Sequence, residues 1–138
     1  MVHNTITREI IQQKVKTRIH AHDEIAFCYI FGSFAEQEDY QDIDLAVYLD
    51  ETHPRVANNH FYDVELSREI ENILKTPVDI IILNHASDRM VYRASQGILL
   101  KDTNEAFRTE FILLRWKKHL DFREVIKKYG KELKCDGR

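Results

Sequence analysis

The stretch from Ile25 to Leu49 constrains the fold of this chain more than any other part of it. Ile25 to Phe31, IAFCYIF, is a short apolar and aromatic run that stops at a glycine, the pattern of a buried strand. Gly32-Ser33 follows, then a short acidic loop. Asp42 to Leu49 then alternates with a period of two, which predicts a second strand. Ile43, Leu45, Val47 and Leu49 share one face of it, and Asp42, Asp44 and Ala46 the other. Two carboxylates therefore project from one side of a strand, beside a glycine turn that lets a phosphate come close to the backbone.

Around this unit the chain reads as alternating helices and strands. Ile6, Ile10, Val15 and Ile19 fall near one helical face, with Asn4 as the candidate N-cap. Asn59 to Lys75 returns to helical spacing, with Leu66, Ile70, Ile73 and Leu74 inward and Pro77 as a stop. Val78 to Leu83 predicts a third strand, in which Asp79, Ile81 and Leu83 share a face. Asp79 is the one charged residue of that run. Ser87 is placed to cap a helix that ends before Gly97, and Ile98 to Leu100 predicts a short edge strand. Phe107, Phe111, Leu114, Phe122, Val125 and Tyr129 then recur at helix-compatible intervals. One helix from Asn104 to Tyr129 would be roughly 39 Å long. The expected class is α+β: a small mixed sheet with helices on one face and a long C-terminal helix. With 138 residues, a single domain 1–138 is expected, its core about 20–102 and its C-terminal helical segment about 104–133.

Composition narrows the function. A net charge of −3 argues against a general nucleic-acid binder. Between Glu36 and Glu51 there are acids but no Lys or Arg, whereas basic residues dominate from Arg115 to Arg138. Cys28 and Cys135 lie far apart with no CxxC motif, so neither a disulfide framework nor a zinc site is expected. Met1 to His20 has no apolar core of a signal peptide, and no run is long enough to span a membrane, so a cytoplasmic protein is expected.

If the strands bearing Asp42, Asp44 and Asp79 are neighbours, three carboxylates converge. Two like charges about 4 Å apart repel by about 4 kcal/mol at an effective dielectric near 20, so such a cluster holds a proton or a cation. All-oxygen ligands favour Mg²⁺ or Mn²⁺. Asp42 and Asp44 are the candidate ligands for two ions. Asp79 would complete the second site and accept a proton from an attacking hydroxyl. Gly32 and Ser33 are the candidate phosphate binders. Arg89, Arg93 and Lys101 are the candidate cations to balance a triphosphate.

Strand, Gly-Ser, short loop, Asp-x-Asp strand, later strand with one Asp: this order resembles the nucleotidyltransferase superfamily with the DNA polymerase β-like palm fold. The resemblance is nearest to the minimal nucleotidyltransferases, and among them to MntA-type antitoxins paired with HEPN-domain toxins. YIFGSFAEQEDYQDIDLAV at 29–47 and PVDIIILN at 77–84 carry it most specifically. VYRASQGILLKD at 91–102 and HLDFREVIKKY at 119–129 extend it. The loop departs from the family pattern. Phe34-Ala35-Glu36-Gln37-Glu38 is acidic and lacks the usual Arg and Gly, and Gln41 stands where Ser is frequent. The resemblance implies Gly32 and Ser33 on the nucleotide phosphates and Asp42, Asp44 and Asp79 as catalytic metal ligands. It further implies ATP as donor, Mg²⁺ as cofactor, and AMP transfer to a tyrosine hydroxyl of a HEPN ribonuclease toxin, which silences it. A binding-only antitoxin and a transferase acting on a small-molecule hydroxyl are the alternatives, and a homodimer is left open.

Overall fold

Four strands and five helices alternate along a computed structural model that describes residues 5–36, 40, 42–120 and 127. The helices are α1 (Thr5–His20), α2 (Ser33–Glu36), α3 (Tyr62–Leu74), α4 (Asp88–Ala94) and α5 (Glu105–His119). The strands are β1 (Ile25–Phe31), β2 (Ile43–Leu49), β3 (Val78–Ile82) and β4 (Ile98–Asp102). They form one sheet in the order β3-β2-β1-β4. β1 runs antiparallel to both β2 and β4, whereas β3 runs parallel to β2, with α3 in the crossover between them.

The period-two pattern of β2 sorts the core into two layers. Ile43, Leu45, Val47 and Leu49 join Cys28 and Ile30 under Val15 and Ile19 of α1 and Leu66 and Ile70 of α3. The other face carries Phe27, Tyr29, Phe31 and Ala46 and is covered by Val91 and Ala94 of α4 and Ile112 of α5. The sheet is mixed, as expected, but helices cover both faces rather than one. The second layer escapes the sequence pattern because it rests on aromatic residues of β1, a strand apolar on both sides. Cys28 is fully buried in the first layer, where desolvation pushes its thiol far above the usual range.

Several local expectations shift. In α1 the inward stripe is Ile11, Val15 and Ile19, at four-residue spacing, and Ile10 is 51% exposed, facing a groove shared with Ile73. Asn4 lies outside the described residues. α3 starts at Tyr62 rather than Asn59, because the Asn59 side chain holds a turn: its amide donates to Arg55 O at 2.9 Å and its oxygen accepts from Phe61 N at 3.0 Å. The helix ends with Lys75 in the left-handed region at φ 60°, ahead of Pro77. Ser87 caps α4 by accepting from Met90 N at 3.1 Å, as anticipated. β3 stops at Ile82, and the buried Leu83 begins a 3₁₀ turn.

The largest difference concerns the C-terminal helix. It is capped by Asn104 and ends at His119, with Leu120 extended at φ −105° and ψ 154°. One helix to Tyr129 is therefore ruled out at Leu120. The eight-residue gap between Leu114 and Phe122 marks the interruption: Leu114 is 50% exposed, and the inward residues are Phe111, Ile112 and Trp116. Except for position 127, the residues after 120, Cys135 among them, lie outside the described ones.

Candidate active site

Phe31, Asp44 and Asp79 are successive partners across β1, β2 and β3, so all three side chains lie on the α4–α5 face. Asp42, just before β2, sits beside Asp44. Asp42, Asp44 and Asp79 each offer a carboxylate oxygen within 4.8 Å of the others. Asp42 and Asp44 are half-buried and Asp79 is exposed, so the cluster opens to solvent on the edge-strand side.

Gly32 closes the site from below. Its φ is +76°, and a Cβ there would lie 2.3 Å from Asp44 Oδ2, so any side chain would collide with the carboxylate. Gly32 O accepts from Ala35 N and Glu36 N, both at 3.1 Å, which folds Ser33–Glu36 into the single turn of α2. Phe34 anchors that turn in the core. Its ring meets Tyr40 edge-on at 4.6 Å and the Arg8 guanidinium at 4.6 Å, and its carbonyl oxygen accepts from Arg8. Ser33 is thus held at the start of the turn, one residue after the glycine that meets Asp44.

The electrostatics of the cluster are those of acids brought together. Burial raises the Asp44 carboxyl above its ordinary range, and the neighbouring Asp42 and Asp79 push it further. Arg93 of α4 opposes this, with its guanidinium stacked 5.4 Å over the Phe31 ring on the same face. Of the three candidate cations, Arg93 is the one brought to the acids. Arg89 is exposed one turn earlier on α4. Lys101 stands opposite Cys28 in β4, is 8% exposed, and donates to His22 O at 2.8 Å. It therefore belongs to a different cluster.

That second cluster was not visible in the sequence. Glu24 is 1% exposed, accepts from Tyr62 Oη at 2.7 Å, and lies 2.9 Å from His22 Nδ1. His22 Nε2 lies 3.0 Å from Glu69, which also pairs with Arg18 at 3.3 Å. Burial pushes Glu24 upward, but hydrogen bonds from Tyr62 and its own backbone, with the charge of His22, outweigh it and leave the carboxyl below its usual range. Tyr62 lies 38 residues from Glu24 and Glu69 lies 47 from His22, so no local signal announces the cluster. Arg68 of α3 was also missed; it lines a hollow of about 290 Å³ that includes Asp79.

A family model described as "Polymerase beta, Nucleotidyltransferase" matches residues 13–106. The chain belongs to the polymerase β nucleotidyltransferase family. The matched span takes in every residue of the acid site. No curated protein matches the sequence significantly. Solved structures share the fold. One is a tri-AMPylated HEPN toxin of Shewanella oneidensis in complex with an MNT antitoxin. It is similar at 17% identity and a TM-score of 0.64, covering 91% of this chain and 95% of the other. The MntA–HepT toxin–antitoxin structure is similar at 16% identity and a TM-score of 0.63, over 91% of this chain and 95% of that one. A toxin–antitoxin structure with AMP-PNP gives 18%, 0.64, 88% and 94%.

Proposed function

We propose that this nucleotidyltransferase is an antitoxin that transfers AMP from ATP to a tyrosine hydroxyl of a cognate HEPN toxin in the cytoplasm, with Asp42, Asp44 and Asp79 at its catalytic centre. The observation that carries the reading is the convergence of these acids on one sheet face against Gly32. Support for the acceptor comes from the solved structures that share the fold, one of which holds an AMPylated HEPN toxin. We assign the whole chain to one transferase domain.

The residues present fit divalent cations. Three oxygen donors lie within 4.8 Å; burial chiefly raises the Asp44 carboxyl, and the added repulsion from Asp42 and Asp79 is what a cation would relieve. Asp42 and Asp44 would hold two Mg²⁺ ions, with Asp79 completing the second site. When bound, such ions neutralise the triphosphate and lower the pKa of the attacking hydroxyl. Gly32 lets the Asp44 carboxylate close against the turn that would meet the phosphates, Ser33 would offer them its hydroxyl, and Arg93 would balance their charge. The tyrosine oxygen forms a bond to the α-phosphorus as the bond from that phosphorus to the bridging oxygen breaks. Pyrophosphate leaves, and Asp79 takes the hydroxyl proton.

The test is incubation of the purified protein with a HEPN partner, Mg²⁺ and ATP labelled at the α-phosphate. Label on a partner tyrosine, lost in the Asp42→Asn, Asp44→Asn double variant, is expected. Label that persists in the double variant rejects the assigned site. Neutralisation of the toxin that persists without any label identifies a binding-only antitoxin instead.

A further inference from the structure

The two halves of the acid site are held by different parts of the fold. Asp44 and Asp79 pair across β2 and β3, and Ile43 N donates to Pro77 O at 3.0 Å, which pins the residue after Asp42. The strand ladder therefore fixes the three carboxylates. Gly32 and Ser33 follow the end of β1 and lie outside that ladder. The four residues of α2 do not hold a helical turn by themselves, since isolated helices shorter than about 12–15 residues are marginal in water. The last carbonyls of such a turn also have no partner within it. Burial of Phe34 anchors the turn, and its carbonyl and its orientation need a further hold.

Arg8 supplies it from 26 residues away. The inward stripe of α1, Ile11, Val15 and Ile19, extends back by one turn to position 8, which places a half-buried guanidinium on the core side. It donates to the Phe34 carbonyl oxygen and lies 4.6 Å from the centre of the Phe34 ring and 5.6 Å from that of Tyr40. Phe34 directly follows Ser33, and Tyr40 stands two residues before Asp42. Arg8 thus ties together the start and the end of the segment that joins the Gly-Ser turn to the Asp-x-Asp strand. From Phe34 to Asp42 that segment has no Lys or Arg of its own. A flat guanidinium suits the place better than an ammonium, because it stacks on the rings while its in-plane N–H groups reach the carbonyl.

We infer that Arg8 is a positioning residue for the nucleotide: it sets the α2 turn so that Ser33 meets the phosphates of an ATP held at the three acids. The inference rests on the transferase reading above. Arg8 acts through Ser33 and not by touching the nucleotide. Phe34 and Tyr40, on which its guanidinium lies, belong to the core layer under α1 and α3, whereas the acids lie on the α4–α5 face.

The test is a double-mutant cycle on the intact protein, read by titration calorimetry with Mg²⁺ and a non-hydrolysable ATP analogue. Ser33→Ala and Arg8→Ala are each expected to weaken the analogue about tenfold. Together they are expected to weaken it little further, because a turn that no longer presents Ser33 gains nothing from its hydroxyl. Mn²⁺ added alone reports on the acids, and its affinity is expected to be the same in Arg8→Ala as in wild type. Arg8→Lys keeps the charge and a donor for the Phe34 carbonyl but not the flat stack, so it is expected to recover part of the loss. It carries the same cycle where Arg8→Ala fails to fold. Additive losses, an analogue affinity that the Arg8 variants leave unchanged, or Mn²⁺ binding that falls in step with the analogue's overturns the positioning inference alone. A Ser33→Ala variant that binds as wild type does removes Ser33 from the phosphates, and the inference with it. A wild type that does not bind the analogue rejects the transferase reading itself.

Discussion

Two clusters of acids sit in this molecule, and their chemistry runs in opposite directions. At Glu24 the buried carboxylate has a partner for its charge and hydrogen bonds, from Tyr62 and His22, and it titrates below its usual range. At Asp44 burial raises the carboxyl above its usual range, two more acids push it further, and Arg93 on the adjoining helix offsets only part of this. One arrangement stabilises the fold. The other sets three acids side by side at a cost in stability, which under the proposed function a bound divalent ion would offset. The contrast supports the proposal that Asp42, Asp44 and Asp79 are the functional acids, without reference to any relative.

Predictions that break or sharpen this contrast follow in order of size. Asp42→Asn with Asp44→Asn is expected to lower AMP transfer by about a thousandfold or more while the protein stays folded, checked by labelling rate and circular dichroism. Glu24→Ala is expected to do the reverse. It strands His22 and Tyr62 and is expected to cost about 3 kcal/mol in urea unfolding, with catalysis intact in the folded fraction. Arg93→Ala is expected to weaken ATP binding by about tenfold, measured by titration calorimetry, with a loss of stability of only about 0.5–1 kcal/mol from the Phe31 stack.

The smallest effect is on pH. The raised Asp44 carboxyl contributes stability below its ordinary value, and that contribution is lost as pH rises through the raised one. Above that point Asp44→Asn is expected to be more stable than the parent by about 0.5–1 kcal/mol without metal, read from urea unfolding at a series of pH values. Glu24 runs the other way: its contribution is present above its ordinary value and is lost as pH falls through the lowered one. Wild type is thus expected to lose stability in acid at a point where Glu24→Ala has none left to lose.

The acid site was legible because its geometry is written in a period of two. Alternation in β2 placed Asp44 on a face, and the lone charge in β3 placed Asp79 on the same one. Gly32 was legible as a turn, although its contact with Asp44 was not. Legibility failed where position depends on distant partners. Ile10 and Ile11 have the same hydrophobicity, and only the packing of α1 on the sheet decides that Ile11 faces inward. Lys101 looks like any surface lysine until β4 pairs with β1 and carries it to the carbonyl of His22, 79 residues away. The Glu24 cluster is of the same kind, assembled from three separate segments. The intervals of three, four and eight in the last segment do not make one helix, because the eight spans the break at Leu120.

The most direct test of the central claim is thermal unfolding with and without Mg²⁺ and a non-hydrolysable ATP analogue, for wild type, Asp44→Asn and Glu24→Gln. A ligand at about a hundred times its Kd adds about 2.7 kcal/mol to the folded state. The expected result is a rise in Tm for wild type and for Glu24→Gln, the latter from a lower starting point, and no rise for Asp44→Asn. A rise in Asp44→Asn equal to that of wild type, or no rise in wild type, would contradict the assignment of Asp42, Asp44 and Asp79 as the site that binds metal and nucleotide.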